Sequence, residues 1–182
     1  IDLHGVPRSQ WLARAAVANK RLARKSGYIS DRFFTDPIDF RQPGRHNLEL
    51  LNEFARRLEI SDPPPAPQVS ITAEARQAAQ DWLRQRRMVG APVIGLHPGA
   101  VSRDPWPPEE YIRLGRLLTE KASAKAVVTA GAEEAELAQR IAAEIGPGRA
   151  EAAVFGNLLE LAALLETCSV YVAGDTGPMH LA

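Results

Sequence analysis

The chain has 182 residues, of which 45% are hydrophobic and 24% charged, and its 22 basic and 22 acidic residues give a formal net charge of zero. This composition is typical of one medium globular domain or two small ones, and the charge balance gives no indication of a nucleic-acid partner. No stretch approaches about 18 unbroken apolar residues, so no membrane span is predicted. The single cysteine, Cys168, excludes an intramolecular disulfide, fits a reducing compartment, and precedes an apolar strand, which indicates a buried, unreactive thiol.

The first 88 residues predict mainly helices and turns. Helices are expected at 10–20, 46–60 and 73–88. The basic tract at 20–25 is interpreted as the solvated end of the first helix, where cations complement the helix dipole. His46 and Asn47 open the second helix, where capping is favoured over ligand contact, and Thr72 caps the third. A proline-rich connector at 61–67 and a short edge strand at 67–71 lie between these two helices.

From residue 89 onward, strands and helices alternate regularly. Strands are expected at 92–97, 126–130, 154–155 and 169–173, and helices at 109–120, 133–145 and 158–166. Apolar strands between amphipathic helices predict a parallel sheet covered on both faces, with right-handed crossovers. Because this alternation begins only here, we place a domain boundary near residue 89, which gives domains 1–88 and 89–182.

The last fourteen residues carry the most informative motif. A strand expected to be buried leads into the turn Gly174-Asp175-Thr176-Gly177, and Pro178 then suits the first helical position. Two glycines let the backbone turn sharply and approach a ligand, and a helix N-terminus favours a phosphate. Asp175, Thr176 and His180 add a carboxylate, a hydroxyl and an imidazole. The alternative is an ordinary turn between a strand and a capped helix.

A second loop follows the strand that ends at His97, with the sequence HPGAVSRDPWP. Backbone N–H groups around Gly99 and Ala100 can surround phosphate oxygens, Ser102 adds a hydroxyl, and Arg103 can bind a diphosphate bidentately. Ligands of parallel sheets bind beyond the carboxyl ends of the strands, where both loops lie. We therefore predict that they converge on one pyrophosphate and stabilise its developing charge. The histidines and acidic residues lack metal-ligand spacing, so no metal is expected.

Both motifs resemble those of the lipopolysaccharide heptosyltransferases, glycosyltransferase family 9. The first is similar to h-P-G-A-x-S-x-x-K-x-W-P and the second to D-T-G/S-x-x-H-L-A. The resemblance extends over the whole chain and is strongest in these motifs. It implies an α/β fold of the GT-B type, with two Rossmann-like domains whose parallel sheets are both incomplete in this fragment. Residues 1–88 would be the rear of the acceptor-binding domain, and 89–182 a truncated donor-binding domain.

The resemblance also implies an activity and a set of site residues. The activity is that of an inverting glycosyltransferase, which moves a heptose from ADP-heptose to a lipopolysaccharide core acceptor at the inner membrane. Arg103 and Asp175 are the candidate catalytic residues, and Glu136 is the candidate ribose contact. The candidate donor-binding residues are Gly99, Ala100, Ser102, Arg103, Glu136, Asp175, Thr176, Gly177, Met179 and His180.

The beginning of the chain, DLHGVPRS, is similar to the family's D-L-x-G-x-x-[KR]-S turn. The resemblance implies that Arg8, with Ser9 beside it, contacts an anionic acceptor, although an arginine at a helix start also suits a plain surface position. The family's catalytic base is a carboxylate near the protein N-terminus, and we expect it upstream of Ile1. We therefore expect the fragment alone to be inactive as a transferase.

One position departs from the family pattern. The usual lysine before the Trp-Pro pair is replaced by Asp104, which would repel a diphosphate unless Arg103 or a cation neutralises it. A differently specific or non-catalytic nucleotide-sugar-binding protein of the same fold therefore stays an alternative. A dinucleotide-dependent oxidoreductase is disfavoured, because no G-x-G-x-x-G follows a strand. The resemblance implies no cofactor beyond the donor, and a location in the cytoplasm or peripherally at the cytoplasmic face of the inner membrane.

Overall fold

The structure is a computed structural model that describes residues 1–41, 47–60, 67–99 and 105–182. The chain divides into two compact units, Ile1–Gln68 and Val69–Ala182. The boundary predicted near residue 89 therefore falls inside the second unit. Most of the predicted proline-rich connector lies outside the described residues.

The first unit contains a small parallel sheet. Its elements are α1 (Pro7–Ala15), β1 (Leu22–Arg24), a 3-10 helix (Ile29–Phe33), β2 (Asp36–Ile38) and α2 (Asn47–Arg57). β1 pairs in parallel with β2, and Asp2 forms an isolated bridge to Ala23. Leu22, Ile38 and Phe54 form the buried core of this unit.

The basic tract at 20–25 is not a helix end, and this prediction was wrong. Leu22 and Ala23 are almost completely buried in β1, because β2 pairs alongside them. The flanking cations concealed this short apolar pair in the sequence. α1 also begins and ends earlier than predicted, since Pro7 opens it and the backbone is already extended at Ala16.

The second unit is a four-stranded sheet with helices between its strands. Its elements are α3 (Ala73–Gln85), β3 (Val93–His97), α4 (Pro108–Lys121), β4 (Lys125–Ala130), a 3-10 helix (Ala132–Glu134), α5 (Ala135–Ile145), β5 (Ala150–Val154), α6 (Leu158–Leu165), β6 (Cys168–Ala173) and α7 (Gly177–Leu181). The strand order is β5-β4-β3-β6, and every pair is parallel. The predicted parallel α/β architecture is confirmed.

Hydrophobic clusters cover both faces of this sheet. Successive strand residues point to opposite faces, so Val127 and Val128 belong to different clusters. The cluster of Val128 includes residues of α4 and α5, and that of Val127 includes residues of α3 and α6. α3 therefore belongs to the second unit, which explains why the structural boundary precedes it.

Two strand predictions in this half differ from the structure. β6 was expected to be buried, but it is the outermost strand of the sheet that the described residues form, and Val170 is 53% exposed. Residues 67–72 form no strand, and Val69 there is half-exposed. The predicted cap of α3 is confirmed, because Thr72 Oγ1 accepts a hydrogen bond from the Ala75 N–H at 3.2 Å. None of the described helices is long and apolar enough to cross a membrane.

Candidate functional site

A pocket of about 150 Å³ lies at the carboxyl ends of β3, β4 and β5. His97 contributes from the start of the first motif and Pro178 from the last, so both motifs reach one pocket. Ligands of parallel sheets are expected at this side, beyond the carboxyl ends of the strands. The described residues that line it are His97, Thr129, Ala130, Gly131, Phe155, Gly156, Asn157, Leu158, Leu161 and Pro178.

Buried polar groups form one side of this pocket. His97 Nδ1 lies 2.9 Å from the Thr129 carbonyl oxygen and 3.1 Å from Thr129 Oγ1. A carbonyl can only accept, so Nδ1 carries a hydrogen and donates it to the Thr129 carbonyl. Thr129 Oγ1 also lies 2.7 Å from the Tyr171 hydroxyl. Burial raises the pKa of Tyr171 to about 12, so its phenol is protonated at neutral pH.

The remaining walls are largely apolar. Phe155, Leu158, Leu161 and Pro178 provide ring and aliphatic surface suited to a flat heterocycle. Asn157 caps α6, because its Oδ1 accepts from the Leu159 N–H at 2.9 Å. Asn157 therefore both caps α6 and contributes to the pocket wall.

In the turn of the last motif, Asp175 and His180 are exposed, whereas Thr176 is buried. His180 Nε2 lies 3.6 Å from Asp175 Oδ1, and these side chains are 72% and 83% exposed. Thr176 is buried, and its hydroxyl donates to the Gly174 carbonyl at 3.4 Å. Gly177 opens α7, and Met179 is partly exposed. Asp175 and His180 are thus adjacent and accessible to a ligand.

Gly99 is buried and is covered by an acidic side chain. A Cβ at Gly99 would lie 2.5 Å and 2.6 Å from the two carboxylate oxygens of Glu134. The predicted ribose contact, Glu136, is instead exposed in the first turn of α5. The sequence has glutamates at 133, 134 and 136. The structure shows that Glu134, at the end of the 3-10 helix, is the one whose carboxylate lies against Gly99.

Part of the first motif lies outside the described residues. Ala100, Ser102, Arg103 and Asp104 are in this group, so their contacts stay predictions, and so does the role of His46.

Beyond this gap, Trp106 packs edge-on against the buried Tyr111, with ring centroids 4.8 Å apart. Trp106 therefore packs against α4, the helix that carries Tyr111. Burial raises the pKa of Tyr111, and a hydrogen bond from the Gly174 backbone opposes this effect.

The acceptor candidates lie in the first unit. Arg8 is exposed, whereas the Ser9 hydroxyl is 2.8 Å from Asp2 Oδ2 and 3.0 Å from the Val6 carbonyl. Sequence reasoning missed a basic pocket in this unit, because it assigned two of its cations, Arg24 and Lys25, to a helix end. Its lining residues are His4, Gly5, Arg24, Lys25, Ser26, Tyr28 and Arg41.

The described residues provide neither a metal-binding cluster nor a thiol that is ionised at neutral pH. Within the described residues, no group of three or more His, Cys, Asp or Glu side chains could hold a metal ion. Burial raises the pKa of Cys168 to about 11, so its thiol is protonated at neutral pH. The prediction of an unreactive thiol is consistent with this shift.

Comparison with known proteins places the fold and the family. Three solved structures superpose on nearly the whole chain. They are the glycosyl transferase family 9 protein of Veillonella parvula (TM-score 0.74, 21% identity), the E. coli ADP-heptose LPS heptosyltransferase II (0.63, 17%) and E. coli heptosyltransferase WaaC with ADP (0.63, 25%). The superpositions include 99%, 99% and 97% of the residues of this chain, in the same order. They include 53%, 57% and 55% of the residues of the three solved proteins. It therefore spans about half the length of these proteins.

These superpositions confirm an α/β fold of the GT-B type with partial parallel sheets. No curated protein matches the chain. The family model described as glycosyltransferase family 9 (heptosyltransferase) matches residues 1–182, and it leaves the oxidoreductase alternative without support. With a match over its entire length, the chain belongs to glycosyltransferase family 9.

Proposed function

We propose that the chain is part of an inverting glycosyltransferase that transfers a heptose from ADP-heptose to a lipopolysaccharide core acceptor. The second unit would bind the ADP moiety. The observation that carries this proposal is the pocket to which both sequence motifs contribute. Family membership and the presence of ADP in the structure of WaaC support the choice of donor.

In this proposal the apolar part of the pocket binds the nucleobase. Phe155, Leu158 and Pro178 offer surface against which a heterocycle can pack, and a volume of about 150 Å³ suits a group of that size. The ribose would then lie towards Gly99, where the Glu134 carboxylate can accept hydrogen bonds from its hydroxyl groups. Glu136 stays an alternative partner for the ribose.

The phosphates would lie between the two motif loops. N–H groups around Gly99 and Gly177, the Arg103 guanidinium and the His180 imidazole would stabilise the charge that grows on ADP as the glycosidic bond breaks. Ser102 would add a hydroxyl group and Met179 an apolar contact, whereas the buried Thr176 hydroxyl would hold the shape of the turn through its bond to the Gly174 carbonyl. Arg103 would also neutralise Asp104, so the proposed reaction needs no metal ion.

The first unit would contact the acceptor. Arg8 is exposed and Ser9 lies beside it, and the basic pocket with Arg24, Lys25 and Arg41 provides further positive charge. An anionic sugar acceptor complements this charge. The base that activates its hydroxyl would come from outside residues 1–182, and the reaction would take place in the cytoplasm or at the cytoplasmic face of the inner membrane.

Titration calorimetry of this chain with ADP and with NAD tests the proposal. We expect ADP to bind more tightly than NAD. Asp175→Ala should weaken ADP binding about 3- to 10-fold, because it releases the His180 imidazole that Asp175 orients at 3.6 Å. Asp81→Ala is the matched control, since Asp81 is a half-exposed carboxylate on α3 paired with Arg84. Preference for NAD, or equal losses in the two variants, would contradict the proposal.

A further inference from the structure

Tyr171 reaches across a neighbouring strand from the edge of the sheet. It is the register partner of Gly95 on β3, and a Cβ at Gly95 would lie 2.2 Å from Tyr171 Cδ2. The tyrosine ring therefore occupies space that any other residue at 95 would need. Its hydroxyl lies 2.7 Å from Thr129 Oγ1 on β4, the strand beyond β3.

Thr129 extends this contact to the pocket. It is 1% exposed, and its carbonyl and hydroxyl oxygens both face His97 Nδ1, at 2.9 Å and 3.1 Å. His97 in turn lines the pocket. Tyr171, Thr129 and His97 therefore form a continuous polar chain from the sheet edge to the pocket wall. Buried chains of this kind fix the geometry of their members, because an unpaired member is costly.

We propose that Tyr171 is a positioning residue for the nucleotide pocket, acting through Thr129 on the His97 imidazole. When the phenol donates to Thr129 Oγ1, the threonine hydroxyl can donate to the Leu96 carbonyl at 3.4 Å. Both Thr129 oxygens then stay oriented as acceptors towards Nδ1–H. The ring orientation of His97 is thereby fixed, with Nδ1 as the nitrogen that donates to Thr129.

The same bond also affects the last motif. Tyr171 lies on β6, three residues before Gly174, and its hydroxyl ties this edge strand to β4. The Tyr171 side chain therefore contacts both the pocket wall near the first motif, through Thr129, and the strand β6 that leads into the last motif. The inference rests on the proposed nucleotide-binding function of this pocket.

A double-mutant cycle tests the chain of contacts. Tyr171→Phe keeps the ring over Gly95 and removes only the hydroxyl, while Thr129→Val keeps the carbonyl and the side-chain shape. Each variant should raise the Kd for ADP about 3- to 10-fold, and the double variant should show little further loss. Thr119→Val is the matched control, because it removes the hydroxyl of a buried threonine on α4 that donates within its own helix, to the Arg116 carbonyl at 3.2 Å.

Nuclear magnetic resonance of the His97 ring nitrogens provides a readout that does not depend on ADP. The Nδ1–H signal should be present in the original chain, shift in Tyr171→Phe and Thr129→Val, and stay in place in Thr119→Val. Unchanged ADP binding in Tyr171→Phe, or losses that add in the double variant, would overturn the inference. If the original chain binds no ADP, the proposed function fails, and an unshifted His97 signal would then separately overturn the positioning role.

Discussion

The glycines of the second unit differ in what a side chain would meet. At Gly95 an added Cβ meets the Tyr171 ring at 2.2 Å and Cys168 Sγ at 3.3 Å, inside the fully buried strand β3. At Gly131 nothing lies within 4 Å, and the backbone φ of −77° is open to any residue. The first glycine is therefore required by packing, and the second is not.

Gly95→Ala should consequently destabilise the chain by about 1–3 kcal/mol, because the extra carbon forces the Tyr171 ring out of place. Gly131→Ala, the matched control, should change the free energy of unfolding by no more than about 0.5 kcal/mol. Urea denaturation of both variants measures the difference. Equal free energies of unfolding would show that β6 can shift away from Gly95 without cost.

At the scale of single residues, the sequence identified the motifs but not the side-chain contacts between strands. Gly99 and Asp175 were selected from turn chemistry, and the structure places both in loops that follow strand ends of the same sheet. His97 was treated only as the end of a strand, and Thr129 and Tyr171 only as strand residues. Their link depends on the register of β6 against β3, which local sequence patterns do not contain.

At the level of elements, a bidentate ion pair joins α3 to Glu166, the residue that caps the C-terminal end of α6. Arg76 Nε and Nη2 lie 2.7 Å and 2.9 Å from the two carboxylate oxygens of Glu166. The hydrogen bond from Arg76 holds the pKa of Glu166 below its usual value. Both side chains are nearly half exposed, so solvent screens the pair and its contribution to stability is small.

This pair predicts a pH-dependent difference between variants. Because the pKa of Glu166 is lowered on folding, its contribution is present above the unfolded pKa and is lost as the pH falls through the folded pKa. Arg76→Gln should lower the melting temperature slightly at neutral pH, and the difference should disappear as the pH falls from about 5 to about 3. Arg113→Gln is the control, since Arg113 makes only a 3.8 Å contact with Glu110. A difference that grows on acidification would contradict this assignment.

Element prediction succeeded where periodicity was strong. The helices of the second unit follow from their apolar spacing, whereas β5 was placed at 154–155 instead of Ala150–Val154. This strand is rich in alanine, so its sequence is only weakly apolar although Ala150 and Ala153 are buried. β1 was missed for a related reason, because its two buried residues lie among cations.

At the scale of the whole molecule, the sequence predicted the α/β fold and the family, but not the division between the two units. The alternation of strands and helices begins near residue 92, which suggested a boundary just before it. The structure shows instead that α3 packs against α6, an element far along the chain. Long-range packing of this kind has no signature in a local pattern.

The unit boundary leads to a prediction about truncated chains. Leu83 and Met88 are almost completely buried in the cluster that contains Val127 and Leu164. Burying a leucine or methionine side chain contributes about 1.5–3 kcal/mol, and a typical domain is stable by only about 5–15 kcal/mol. Residues 69–182 should therefore unfold cooperatively, whereas residues 89–182, cut at the boundary suggested by the sequence, should not.

Thermal unfolding followed by circular dichroism, together with binding of a hydrophobic dye, distinguishes the two truncated chains. The shorter chain should bind the dye and melt without a sharp transition, because the sheet face under α3 becomes exposed. A peptide of residues 69–88, added in trans, should restore a cooperative transition, since it returns Leu83 and Met88 to the cluster. The opposite result would be that residues 89–182 melt as sharply, and at the same temperature, as residues 69–182. In that case α3 would not be needed for the fold of this unit, and the boundary near residue 89 would be the better description.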